Sequence, residues 1–418
     1  MTTRSGAHTV LFAGLVVILA SVSFANPTAG VDRESELAAF NEYVDAALPV
    51  VAEMTGIEAD EPVPTVMLMR SEVRDYLIET LEFEYPEGEL MKRGECMAAL
   101  GLVPRGYDLE AGIIEMISES AGAFYDPRKD DMKAIADLHP MLKAPQMQKM
   151  IVSHELTHAL QDRVIDLYEL YREALADLDR DYAVRAIVEG MASNVMLPYM
   201  NGQELGEGPD VQAYMRAGFD MKYGSGSGGA MGGAPLYVRE SFLSPYAEGG
   251  GFVQAWIGKY PDRTLRQLLL DMPPTSEQIM HFDKFEEGDE RTPIDPACFD
   301  AVVPAGWEMY YANTLGEFDF LMLFRSHAVT AQYADELAAG WDGCRWRAYH
   351  DDAGHLVIVG LSIWDSVEDA RDFASGFEHV LEEIREAGKY EVARHRNTVC
   401  FAIGTASPMA SDLLGLSE

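Results

Sequence analysis

The sequence predicts an α+β fold, and three observations predict it. Helix-period apolar spacing marks residues 34–55, 71–81, 110–118, 146–162 and 181–193. Short strand-like runs bounded by turn residues lie at 64–69 and 121–137. From about Asp295 helical and strand-like runs alternate over a shorter stretch, which reads as a second, smaller α+β unit. The expected organisation is a first domain at 26–294 and a second, of unknown role, at 295–418.

Residues 1–25 come first and stand apart. A lone Arg4, an apolar run at 10–20 and small residues ending in Ser23 and Ala25 read as a signal peptide, with cleavage after Ala25. A retained anchor is the alternative, but the run is short for a bilayer span, so no stable membrane span is expected after cleavage. Segment 34–55 carries Leu37, Phe40, Val44, Leu48 and Val51 on one helical face, and Pro49 is expected to kink or divide it. Residues 64–69 read as a strand, and Ser71 as the cap of a helix bearing Val73, Tyr76, Leu77 and Leu81.

Residues 121–126 and 132–137 flank a turn-forming Pro127-Arg128-Lys129-Asp130-Asp131, the pattern of a hairpin. Its first strand, with Ala123, Phe124 and Tyr125, either holds an extended peptide along a free edge or is an ordinary hairpin strand.

The next helix carries the chemistry. In His154-Glu155-Leu156-Thr157-His158 the two histidines are four apart, so both imidazoles face one way and can bind one metal ion. Glu155 sits about a quarter-turn aside, where a general base acting on a metal-bound water belongs. A catalytic zinc takes three protein ligands, and the following helix offers the third. Glu189 is a lone carboxylate among Ile187, Val188, Gly190 and Met191, and a buried charge needs a partner. Gly190 allows close helix approach. Arg185, one turn earlier, either orients Glu189 or forms a surface ion pair, the second being preferred.

Residues 223–234 are Gly-Ser-rich and read as a loop. The Gly224-x-Gly226-x-x-Gly229 within them lacks the preceding strand, following helix and downstream acid of a dinucleotide site. Thr275 and Gln278 stand in capping-box register. In the second unit, 315–324 and 367–387 read as helices, and 346–350, 355–364 and 392–404 as strands.

These motifs resemble those of gluzincin metallopeptidases, the thermolysin-like branch of the zincins. His154-Glu155-Leu156-Thr157-His158-Ala159 is similar to that family's active helix, and Ala123-Phe124-Tyr125 to its substrate-binding edge strand. The run through Gln161-Asp162, with Val188-Glu189-Gly190, looks like a group of secreted bacterial proteins. The resemblance implies a zincin-like catalytic domain, a mixed sheet with an active-site helix followed by a mainly helical lobe. It implies one Zn2+ held by His154, His158 and Glu189. Pro245-Tyr246-x-x-Gly249 resembles the segment that supplies an oxyanion-stabilising tyrosine in gluzincin aminopeptidases; otherwise Tyr246 is a tyrosine at a turn before a core helix. The segment from Pro273 to His281 resembles one in the same bacterial group and makes His281 a candidate for oxyanion stabilisation or substrate contact, a capped structural helix being the alternative. One position departs. Where such enzymes carry an aspartate that orients the first histidine, this chain has Ser193.

Charge and cysteines bound the partners. With 32 basic and 69 acidic residues the net charge is −37, which disfavours nucleic acid. Cys344 and Cys400 are the preferred disulfide and Cys96 and Cys298 the remaining pair. The expectation is a secreted or periplasmic zinc peptidase acting on peptide or protein substrates. Endopeptidase is preferred, since no segment resembling the aminopeptidase amine-binding motif is present. An aminopeptidase, or a zinc-containing binding protein without activity, is the alternative.

Overall fold

The computed structural model describes residues 31–223, 229–327, 329–384, 389–404 and 409–417. The expected signal peptide and the centre of the Gly-Ser stretch, 224–228, lie outside the described residues. The chain is mixed α+β, with two sheets among the described residues.

Asp32 accepts the Glu34 and Ser35 N–H groups and starts α1 (Arg33–Thr55), which Gly56 ends in the left-handed region. Pro49 lies inside that helix without dividing it. β1 (Thr65–Leu68) leads into α2 (Arg70–Glu84). Ser71 does not cap it; the Glu72 carboxylate reaches back to the Met69 N–H at 2.7 Å. Two further helices follow, α3 (Glu89–Leu100), which the sequence reading passed over, and α4 (Leu109–Ser120). The hairpin forms as expected from β2 (Ala123–Asp126) and β3 (Asp131–Ile135), with Asp130 left-handed at the turn. β3 is central, parallel to β1 and antiparallel to β2, so β2 is an edge strand.

A 3-10 turn leads into α5 (Pro145–Asp162), the histidine helix, whose Pro145 occupies the first turn where no N–H is missed. Around it gather α6 (Leu167–Ala174), α7 (Leu178–Asn201), α8 (Val211–Tyr223), a single turn α9 (Ala230–Gly233) and α10 (Leu236–Lys259). Thus part of the expected loop is helical, and Tyr246 sits within a continuous helix rather than at a turn. α7 and α10 meet through glycines: a Cβ on Gly190 would lie 2.3 Å from Gly249 backbone, and one on Gly249 1.9 Å from the Ala186 carbonyl oxygen. Short helices α11 (Leu265–Leu270), α12 (Ser276–Met280), α13 (Phe282–Glu287) and α14 (Ala297–Asp300) complete this half. Thr275 caps α12 as expected, by accepting the Gln278 N–H.

The C-terminal unit comprises β4 (Glu308–Asn313), α15 (Glu317–Ser326), α16 (Ala331–Ala338), β5 (Trp341–His350), β6 (Leu356–Trp364), α17 (Val367–Glu383), β7 (Tyr390–His395), β8 (Thr398–Ile403) and α18 (Met409–Ser417). Its antiparallel sheet has the order β4-β5-β6-β8-β7. The single strand expected at 392–404 is a hairpin, because Arg396 turns left-handed between β7 and β8. The expected Cys344–Cys400 disulfide is contradicted, and all four cysteines are free thiols. Cys344 lies opposite Ser362 and Cys400 opposite Leu361, on either side of β6. Adjacent residues of β6 face opposite ways, so the two thiols are two strands apart on opposite faces, beyond disulfide reach.

The main core runs without interruption from Phe40 to Ile403 and takes in one face of this sheet through Trp341, Trp346 and Phe401. The other face packs Phe299, Val357 and Cys400 under α18. Polar ties cross as well: the Asn313 side chain accepts the Leu178 N–H, fixing the start of α7 from the C-terminal unit.

Candidate metal centre

α5 is buried along nearly its whole length from Met150 to Gln161, which is why its apolar residues surround His154 and His158 on every side. On α7, Glu189 is likewise buried. The three side chains converge: Glu189 Oε2 lies 3.1 Å from His154 Nε2 and 3.5 Å from His158 Nε2. A tetrahedral zinc with bonds of about 2.0–2.2 Å separates its ligand atoms by about 3.4 Å, so these spacings fit one ion. Burial disfavours the charged form of His154 and lowers its pKa. Burial works against the Glu189 charge too, but the histidines prevail, leaving that carboxyl at about 2. A neutral His154 imidazole and an ionised Glu189 carboxylate are the protonation states that ligate a metal.

His158 is oriented by a residue to which the sequence reading gave no role. Gln161, one turn on, offers its Oε1 at 2.8 Å to His158 Nδ1 while its amide nitrogen donates to the Val188 carbonyl. The amide orientation places the proton on Nδ1 and leaves the buried Nε2 lone pair facing Glu189. The i, i+3 spacing was the available signal. His154 has no such partner: its Nδ1 is buried without a hydrogen bond, and so is the Ser193 hydroxyl.

Glu155 is fully buried and accepts the Tyr125 N–H at 2.8 Å. The edge strand thus meets the carboxylate through its main chain. Its side chains turn elsewhere. Phe124 packs on the Tyr76 ring, and the Tyr125 hydroxyl lies 2.8 Å from both Asp130 and Asp162. Burial raises Asp162 to about 6, which suits a proton shared in that group.

Residues 308–412 match a family model described as a domain of unknown function (DUF8575). No curated protein and no solved structure matches the chain. The matched stretch begins at β4, so the converging histidines and Glu189 lie outside it.

Tyr246 joins the group. Its ring stacks on His154, centroids 5.7 Å apart, and burial followed by the Glu189 and Glu155 carboxylates raises its pKa well above the phenol range. His281 does not join it. His281 Nε2 is 2.8 Å from Glu317, in a cluster where Lys284 gathers Glu277, Asp289 and Asp365 at 3.3, 2.6 and 2.6 Å. The structural alternative for His281 therefore prevails over substrate contact. Arg185 is neither on the surface nor paired to Glu189 as its main partner: it forms a buried pair with Asp181 at 2.8 Å, with its guanidinium 5.3 Å from the Tyr171 ring.

Proposed function

We propose that this protein is an exported zinc-dependent metallopeptidase, an endopeptidase by preference, with a zincin-like catalytic centre. The observation that carries the reading is the buried convergence of His154, His158 and Glu189 with Glu155 alongside. Zinc held by the three ligands would supply Lewis acidity, polarising a peptide carbonyl and bringing a water into the titration range near neutrality.

The chain supplies the rest. Glu155, held by the Tyr125 N–H, is the general base that takes a proton from the attacking water and returns it to the leaving amine. The Tyr246 phenol keeps its proton and donates a hydrogen bond to the developing oxyanion. β2 is an edge strand, and with the Tyr125 N–H taken by Glu155 it is the main chain of Ala123 that is left to align an extended substrate without reading its side chains. Nucleic acid is no partner for a chain of charge −37.

Metal content by mass spectrometry and cleavage of a quenched peptide library test this. Wild type is expected to hold one zinc per chain and to cleave, Glu155→Gln to hold zinc without cleaving, and Glu189→Ala to lose both. Equal cleavage by wild type and Glu155→Gln removes the mechanism. A second reading, a zinc-containing binding protein, is favoured by the unpartnered His154 Nδ1. Stoichiometric zinc with no cleavage by any form selects it.

A further inference from the structure

A cavity of about 90 Å³ opens beside the centre. One wall is a stripe of α7, Leu178, Asp181, Arg185 and Glu189, at the spacing of one helical face. The opposite wall is α10 from Tyr237 to Tyr246. Glu189 and Tyr246 thus stand at one end. Asp181 lies two turns away, about 12 Å along the helix.

The polar groups of this cavity are engaged with one exception. Asp181 is held by Arg185, and Asp319 by the Tyr237 hydroxyl and the Gly316 N–H. Tyr182 shares a hydrogen bond with Ser244. The exception is Arg93 of α3, a half-buried side chain that lines the cavity without a hydrogen bond among the described residues, its charge coupled to those of Asp181 and Asp319. Its Nε is shut off from solvent and unpartnered. Burial opposes the Arg93 charge, but Tyr311, Tyr85, Tyr237 and Asp181 around it sustain it, and Nε remains a donor without a hydrogen bond. A carboxylate fits the planar donor fork in bidentate fashion.

We propose that the cavity around Arg93 binds a carboxylate of the peptide substrate, giving the enzyme an acidic preference close to the scissile bond. This rests on the peptidase reading. The carboxylate comes either from an Asp or Glu side chain one or two residues from the cleaved bond or from a free C-terminus two or three residues beyond it. Both lie within about 12 Å of extended chain.

The test uses quenched Ala-based peptides with Glu or Gln scanned through three positions on each side of the scissile bond, each made as the C-terminal acid and amide. Wild type is expected to favour one Glu position over Gln by about tenfold or more in kcat/KM, the scale of a charge-assisted hydrogen bond. An effect confined to the C-terminal acid assigns the terminal carboxylate instead. Arg93→Gln is expected to collapse the Glu/Gln ratio to about one, and Arg93→Lys to restore part of it. The same peptides titrated into zinc-loaded Glu155→Gln protein read the preference without turnover. A cooperative melt of Arg93→Gln shows that the variant folds. Cleavage without any Glu or C-terminal acid preference, or a preference that survives Arg93→Gln, overturns the carboxylate site and leaves the peptidase reading standing. Preferential binding with no cleavage keeps the site and removes the peptidase. Equal binding of all peptides with no cleavage removes both.

Discussion

Gln161 shows how a neutral side chain sets the chemistry of a charged centre. Its amide is pinned by the Val188 carbonyl, so only its oxygen is left for His158 Nδ1, and the imidazole is held with its Nε2 lone pair inward. Gln161→Leu is therefore expected to weaken zinc affinity by about 10–100-fold, read by competition with a chromogenic chelator. Unchanged affinity would mean the tautomer is set otherwise. Ser193 gives the opposite case. Its hydroxyl is buried and unpartnered, so Ser193→Ala is expected to leave zinc affinity unchanged and the melting temperature equal or higher. A tenfold loss of zinc in that variant would show that Ser193 does orient His154.

At the level of elements, the position of Tyr246 over His154 depends on how closely α10 approaches α7. Gly190 and Gly249 permit that approach, since a methyl group on either would overlap backbone atoms of the other helix. Gly249→Ala is expected to destabilise the fold by about 1–3 kcal/mol or more and to reduce activity through Tyr246. Gly258, on the same helix, has open space around its Cβ position. There Gly→Ala is expected to stabilise by about 0.5–1 kcal/mol, because the helix loses an entropic weakness without a clash. Denaturant midpoints of the two variants check the pair. Equal shifts would mean helix propensity, not packing, governs this contact. The edge strand belongs to the same scale: β2 is tied to α5 twice, through the Tyr125 N–H to Glu155 and the Tyr125 hydroxyl to Asp162.

The molecule as a whole holds several carboxylates in places where burial favours the neutral acid. Burial raises Asp162 and Asp319 to about 6, Asp179 to about 7 and Glu277 to about 8. Each folded pKa exceeds the unfolded value near 4, so the folded state binds more protons and stability falls as pH rises from about 4 to about 8. His281 adds to the trend: Glu317 raises its pKa, and the stability this gives is lost as pH climbs past the folded value. Asp126 and Asp177 act outside this window. Burial opposes their charge, but Arg128 and Arg291 depress them, so their contribution is lost only below about pH 4. The net charge of −37 works the same way as the buried acids by self-repulsion. Chelator-treated protein is thus expected to melt at lower temperature at pH 8 than at pH 5, with Asp179→Asn flattening the slope. A melting temperature that rises across this range would contradict the sign.

What the sequence by itself determined is local. Histidines four apart, the cap at Thr275 and the turn at Asp130 are written in spacing and residue type, because each depends on neighbours within one helical turn or one hairpin. The α+β character followed from the same periodicities. The solitary carboxylate of Glu189 among apolar residues was legible as a group in need of partners, and the structure supplies them. Long-range pairing decided the rest. The cysteine reading failed because sheet order and strand facing are set by packing across the chain, and two strands with similar patterns can lie on either side of a third. His281 and Tyr246 looked alike as chemistry near short motifs, yet the close contact of α7 and α10 brings Tyr246 over His154, while α12 turns His281 to Glu317. Arg93, on a helix absent from the sequence reading, gains its meaning only from the cavity that tertiary packing leaves beside Glu189.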